Sequence, residues 1–363
     1  MNSFIDIDKN MVVNKTIGDV EVVWRNVKEA PFSLYGLCDP LSDTYFHRLP
    51  FDVAEQTSPA VEKLHRESAG GRVRFSTNSP YVAIRVKYLV VGRSSHLSLV
   101  ATSGFDLYID GEFGSRFVKE FRMPTEMVDS YEQIVHLEGS FMRSYTINFP
   151  PHAVVESLEI GLAPAAKLGA PKPYRDLKPV IFYGSSIVHG TAASRPGYTY
   201  PAIISRDLNI DVVNMGFSGN AKGEAVLAEW LATQPMSVFV CDYDHNAPTL
   251  EHLENTHHTF YEIIRRENPD VPYIMVTRPN YWTMIRNRAD ILNRRDAIMR
   301  SYLKAREAGD KNVYFVDGMS FNTMPHQYEM TVDNIHPNDA GFVRMADGIG
   351  TVIKHILEKQ MEL

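Results

Sequence analysis

Val180–Gly190, VIFYGSSIVHG, is the stretch on which the fold turns. Four apolar or aromatic residues run into Gly184-Ser185-Ser186-Ile187, and a segment able to start a helix follows. The pattern predicts a buried strand that ends in a tight turn and presents a hydroxyl at its C-terminal end. In open α/β sheets that end is where ligands bind. The plainer alternative is a strand that stops at a Gly-Ser turn, and the rest of the chain has to decide between them.

Downstream, strand-like and helix-like runs alternate. A helix is expected around Tyr198–Leu208, then a strand over Ile210–Met215 and a helix over Ala221–Thr233. Further strands are expected at Met236–Cys241, Pro272–Thr277 and Val313–Val316. Helices are expected at Leu250–Glu267, Trp282–Glu307 and Asn338–Glu358. Five strands alternating with helices mean βαβ units, a mainly parallel sheet and right-handed crossovers.

Upstream, the period changes to two. Arg72–Ser76 and Tyr81–Tyr88 alternate, with Val82, Ile84 and Val86 on one face. Ser103–Ile109 continues the alternation into Asp110-Gly111, a hairpin signal. Glu132–Leu137, Ser144–Phe149 and Glu156–Leu162 read as further strands. Many short strands with little helix between them predict a β-sandwich over about residues 15–165. Ala163–Lys178, with Pro164, Gly169, Pro171 and Pro173, has linker composition. The expected division is a β-sandwich over 1–165, a linker over 166–177 and an α/β domain over 178–363.

The bulk properties narrow the classes. At 363 residues the chain is long for one core. A net charge of −7, with no basic run beyond a pair or so, gives no support to nucleic acid or an anionic membrane surface as partner. Two cysteines, Cys38 and Cys241, stand far apart, which excludes a disulfide framework or a zinc ribbon. Cys241 lies in an apolar run and is expected to be buried. No transmembrane stretch or secretory signal is read, so a soluble protein is expected, with its compartment left open between cytoplasmic and, had a leader been removed, periplasmic. His47, His65, His96, His136 and His152 of the first half show no tight ligand spacing and read as isolated. Trp24, Tyr35, Tyr45 and Phe46 could stack on a sugar but read better as core aromatics.

Four loops should share one end of the parallel sheet. They are Gly184-Ser185-Ser186, Asn214–Asn220, Asp242–Asn246 and Thr331–Pro337. A serine hydroxyl is a weak nucleophile and needs an adjacent base. Histidine suits that task at neutral pH, and a carboxylate must hold the imidazole in the right tautomer. Asp333 and His336, three apart, can serve both needs from one turn. An oxyanion needs donors aimed at it. Gly219, without a Cβ, lets its N–H approach closely; Asn246 adds an amide, and the Ser186 N–H a third donor.

In order and placement these blocks resemble the SGNH (GDSL-type) hydrolase family over residues 178–360. Gly184-Ser185-Ser186-Ile187 looks like the first block, with Ser185 where the family name has Asp and Ser186 at the nucleophile. Gly219 matches the second block, Asn246 the third and Asp333-x-x-His336 the last. The third block departs from the usual Gly-x-Asn-Asp, reading Asp244-His245-Asn246-Ala247. Gly104-Phe-Asp106-Leu-Tyr108 resembles the GxDLY stretch of the β-sandwich that precedes some SGNH esterase domains; Asp106 and Tyr108 read as structural. The resemblance implies a flavodoxin-like three-layer α/β/α hydrolase domain behind a jelly-roll-like sandwich. It implies a serine esterase with triad Ser186, Asp333 and His336, an oxyanion hole of Ser186, Gly219 and Asn246, and no cofactor or metal. Ser185, His245 and Arg278 are candidate substrate contacts. The expected partner is a small-molecule or oligosaccharide ester, with short acyl groups on carbohydrate favoured by analogy of architecture.

Two other classes compete. A metal-dependent hydrolase could draw on Asp242, Asp244, His245, Asp333 and His336, although no HxH or HExxH is present and His252, His257 and His258 fall on a predicted helix. A non-catalytic carbohydrate-binding protein is opposed by the complete Ser–His–Asp set. Val188 stands where an α/β-hydrolase elbow needs its second glycine. His189, one turn after Ser186, is a rival base that lacks a neighbouring carboxylate to orient it, and Ser185 is a rival nucleophile. Arg278 could meet substrate, Asp242 or Asp244.

Overall fold

The computed structural model describes residues 13, 15–111, 114–126, 129–279, 288–321 and 326–361. Its first half is two facing antiparallel sheets. The strands are β1 (Val23–Asn26), β2 (Ser33–Tyr35), β3 (Arg72–Thr77), β4 (Tyr81–Val90), β5 (Phe105–Gly111), β6 (Gly114–Phe121), β7 (Ser130–His136), β8 (Arg143–Asn148), β9 (Val154–Leu162) and β10 (Leu168–Gly169). One sheet runs β1-β9-β4-β7; the other runs β10-β3-β8-β5-β6, with β2 on β3. Val82, Ile84 and Val86 alternate inward from β4 and meet Val73, Phe75, Leu107 and Ile147 of the facing sheet in one core. That is the burial a period of two dictates for a sheet with one covered face.

The second half is a five-stranded parallel sheet. Its strands are β11 (Val180–Gly184), β12 (Val212–Gly216), β13 (Val238–Asp242), β14 (Tyr273–Val276) and β15 (Val313–Val316), in the order β12-β11-β13-β14-β15. This is the flavodoxin-like order. Ile181 and Tyr183 face one core, under Ala225–Ala232, Leu250–Glu267 and Arg288–Glu307. Val180 and Phe182 face the other, under Tyr200–Leu208 and Asp339–Met361. A strand buried on both faces explains why VIFY reads as a continuous apolar run rather than an alternating one.

Several expectations shift. Among the described residues three short helices interrupt the sandwich, Phe51–Thr57, Pro59–Leu64 and Leu99–Ser103. Each is too short to show a helical period, and Ser58 and Ser98 cap the last two. Leu168–Gly169 lies inside the expected linker, yet it pairs with Thr77 and Ser76. Asp110 and Gly111 stay in strand, because pairing continues to Gly111 opposite Gly114, and Asp110 forms an ion pair with Arg74 at 3.0 Å. The helix expected from Ala221 begins at Ala225, after Gly223 takes a left-handed φ of +73°. The helix expected from Trp282 begins, among the described residues, at Arg288; residues 282–287 lie outside them. Of the four candidate core aromatics only Phe46 is fully buried. Trp24 lies under Arg85, Tyr35 packs on Tyr174, and Tyr45 on Phe51.

The halves share apolar packing, with Leu49, Ala54 and Val61 buried in the same core as Ile181, Tyr183 and Leu227, and buried polar contacts add to it. Arg48 reaches across to the carbonyls of Asn214 and Gly216, and Arg72 to Asp211 and the Val212 carbonyl. Asp106 is fully buried between Asn148 and the backbone N–H of Gly197, so it acts as a strut rather than a substrate contact. Tyr108 is buried too and accepts from Arg195.

Candidate active site

β11 ends where no side chain fits. A Cβ on Gly184 would come within 2.0 Å of the Asp242 carbonyl oxygen. Ser185 then caps the short helix Ser186–His189; its backbone N–H donates to that same carbonyl and its hydroxyl accepts from the Ile187 N–H. Ser185 is fully buried, so it is removed from the candidate substrate contacts and from rivalry as nucleophile. Ser186 is the residue that the turn delivers to the cleft.

Its hydroxyl lies 2.9 Å from His336 Nε2, although the two are 150 residues apart. His336 Nδ1 lies 2.6 Å from Asp333 Oδ2. A carboxylate can only accept, so Nδ1 carries the hydrogen and Nε2 offers its lone pair to the serine. Asp333 is fixed in turn by the N–H groups of Ile335 and His336 on its other oxygen, at 3.0 and 2.8 Å. Burial opposes its charge, but these N–H groups and the imidazole win and hold the carboxyl below its ordinary range.

Ser186, Gly219, His245, Asn246, Arg278 and His336 line one cleft of about 690 Å³. Gly219 is left-handed, φ +72°, with open space where a Cβ would be. Asn246 Oδ1 accepts the Ala221 N–H at 3.3 Å, which leaves its NH₂ group for a ligand. His245 is held well below the ordinary imidazole range, first by burial and then by Arg278 and His336, and its buried Nε2 has no hydrogen-bond partner. Arg278 is held by Asp244: its backbone N–H donates to a carboxylate oxygen at 3.1 Å and one guanidinium N–H to the carbonyl at 3.1 Å. Asp242 bonds Tyr200 instead.

Other walls of the cleft come from residues that the sequence did not assign to the site. Leu64, Glu67, His96 and His152 of the sandwich half line it, with Thr191, Ser218, Pro279, Ile291 and Ile335. His96 Nε2 stands 3.8 Å from Asp333 Oδ2, so that histidine is not isolated. His189 is not isolated from acids either: Glu67, 122 positions upstream, lies 3.0 Å from its Nε2. No local spacing carries such pairs. Among the described residues Glu67, His152 and His189 form the one group with metal-ligand proximity, their ligand atoms within 4.8 Å of one another. Asp242, Asp244, His245, Asp333 and His336, the residues of the metal alternative, do not gather in this way among the described residues. His252, His257 and His258 lie on Leu250–Glu267 and bond the Lys222 carbonyl and Ser301.

Residues 177–354 match the GDSL-like lipase/acylhydrolase family, and residues 22–168 match the N-terminus of esterases of the SGNH hydrolase type. A Bacteroides ovatus structure assigned as a GDSL-like lipase is 28% identical, covers 93% of this chain and 98% of its own, and superposes with a TM-score of 0.83. The salicylyl-acyltransferase SsfX3 of a tetracycline biosynthetic pathway is 20% identical over 90% and 95% of the two chains, with a TM-score of 0.70. An acetyl xylan esterase from the rumen bacterium Butyrivibrio proteoclasticus shares the fold at 12% identity, over 93% and 99%, with a TM-score of 0.58. No curated protein matches the chain by sequence search.

Proposed function

Starting from a chain that belongs to the SGNH (GDSL-type) hydrolase family and is an ester hydrolase, we propose that it cleaves carboxylic esters in two steps through an acyl-enzyme on Ser186. The observation that carries this reading is the line of contacts Ser186 Oγ, His336 and Asp333, at 2.9 and 2.6 Å.

His336 Nε2 takes the Ser186 hydroxyl proton as Oγ attacks the ester carbonyl carbon. Negative charge moves to the carbonyl oxygen, where the N–H groups of Ser186 and Gly219 and the amide of Asn246 receive it. The tetrahedral species collapses; the alcohol leaves with the proton from His336, and the acyl group stays on Oγ. Water then attacks the acyl carbon, giving a proton to His336; the second tetrahedral species collapses, Ser186 Oγ leaves with the proton from His336, and the carboxylic acid is released. Asp333 stabilises the imidazolium in both halves and is not itself protonated.

For substrate we infer a short acyl group on a carbohydrate. The cleft lining supports this, since His96, His152, Thr191 and His245 offer polar atoms suited to hydroxyls. The acetyl xylan esterase shares only the fold, so it supplies an analogy and no more. The test is covalent labelling by a fluorophosphonate, together with turnover of acetylated oligosaccharides and of p-nitrophenyl esters of rising chain length. Labelling and turnover should vanish in Ser186→Ala while folding is retained. Activity that survives in Ser186→Ala and is lost to a chelator would sink the serine reading. A preference for long-chain esters over acetate would sink the substrate class.

A further inference from the structure

The Glu67–His152–His189 cluster has a use other than metal binding. His189 closes the helix that begins at Ser186, and its ring is fully buried. Its Nε2 lies 2.6 Å from the Pro151 carbonyl oxygen. A carbonyl can only accept, so Nε2 carries the hydrogen and has no lone pair for a metal. Glu67, 3.0 Å from the same nitrogen, favours that tautomer. Burial pushes the imidazole down to about 4, so it is neutral in use. Its Nδ1 therefore holds the lone pair, and the Ser218 hydroxyl donates to it at 3.2 Å. Thr191 Oγ1 sits 3.4 Å from the Ser218 hydroxyl and 3.2 Å from His152 Nε2, and the His152 ring stacks on His189 at 4.7 Å.

Ser218 immediately precedes Gly219. We propose that Pro151, Glu67, His189 and Ser218 form a positioning relay, through which the sandwich half fixes the Gly219 N–H for the oxyanion. The proposal rests on the reading of Ser186 as nucleophile and Gly219 as donor. Gly219 has open space where its Cβ would be, so no packing on that side fixes it. The start of the same loop is already clamped: a Cβ on Gly216 would meet the His189 backbone N at 2.1 Å. The Ser218 link extends that clamp from the end of β12 to the donor itself. Donors stabilise an oxyanion only when aimed at its position, so a loosened loop lowers turnover more than substrate binding.

The test is a double-variant cycle on p-nitrophenyl acetate, with melting temperatures recorded and Ser186 labelled by a fluorophosphonate. Ser218→Ala and His189→Ala should each lower kcat roughly tenfold with KM nearly unchanged. The double variant should be no worse than the poorer single one, because both break one link. Losses that multiply, a loss confined to KM, or a Ser218→Ala enzyme with the wild-type kcat would each overturn the relay. Should His189→Ala fail to fold, Ser218→Ala, which removes one oxygen, decides alone. A wild-type enzyme that turns over ester without labelling at Ser186 would defeat the nucleophile reading and the relay with it. Labelling with an unaffected Ser218→Ala defeats the relay only.

Discussion

Arg48 donates one guanidinium N–H to the Gly216 carbonyl at 2.7 Å, so a buried cation of the sandwich half holds the strand end that leads to Gly219. The same side chain donates to the carbonyls of Asn214, Leu64 and Glu67 at 3.1, 2.7 and 2.8 Å and lies over the Phe217 ring. Burial pulls its pKa down to about 10, which still leaves it charged at neutral pH. Arg48→Ala would strand four acceptors in a region water reaches poorly. A loss of at least about 3 kcal/mol is expected, read as a lower denaturation midpoint. An unchanged midpoint would mean that the interface is not held in this way.

Two glycines of the site should respond in opposite ways. Gly184→Ala places a Cβ 2.0 Å from the Asp242 carbonyl oxygen, backbone against backbone, and should damage folding. Gly219→Ala meets nothing within 4 Å and faces only its φ of +72°. Its stability cost should be about 1–2 kcal/mol. Its kcat should fall by more than that strain accounts for, because the loop will relax away from its present shape. Melting curves and steady-state kinetics of the two variants separate these effects.

Acid should destabilise the protein well above the carboxylate range. Burial is the chief cause that pushes His65 and His189 down to about 4 and His257 to about 3. Unfolded, each titrates near pH 6.5, so below that pH the unfolded chain binds protons the folded chain refuses. Stability is therefore full above about pH 6.5 and falls as pH drops toward 4. With three such groups the slope can approach about 4 kcal/mol per pH unit. Melting temperature measured from pH 7 to pH 4 checks this, and a flat profile would contradict it.

Asp333→Asn keeps the side-chain oxygen that the Ile335 and His336 N–H groups need, yet it removes the charge facing His336 Nδ1. The fold should survive. Turnover should drop by roughly 10²- to 10⁴-fold, because the imidazolium loses its counter-charge and the tautomer is no longer fixed. A stopped assay on p-nitrophenyl acetate distinguishes this from a mere shift in KM.

The run VIFYGSS determined a doubly buried strand and the turn after it, since a strand covered on both faces must be apolar at every position. The alternation in Tyr81–Tyr88 determined a half-covered sheet for the same kind of reason. Asp333 and His336 could be paired from sequence because one turn spans them. Tertiary structure decided what local spacing cannot carry. It assigned Ser185 to a cap and Ser186 to the cleft, through a carbonyl of β13 that lies beside Gly184 only once the sheet has formed. It brought Glu67 to His189 and His96 to Asp333 from the other half of the chain. Such contacts follow from how the two halves pack together, through the shared core around Ala54 and Val61 and through buried polar pairing, which no residue period records.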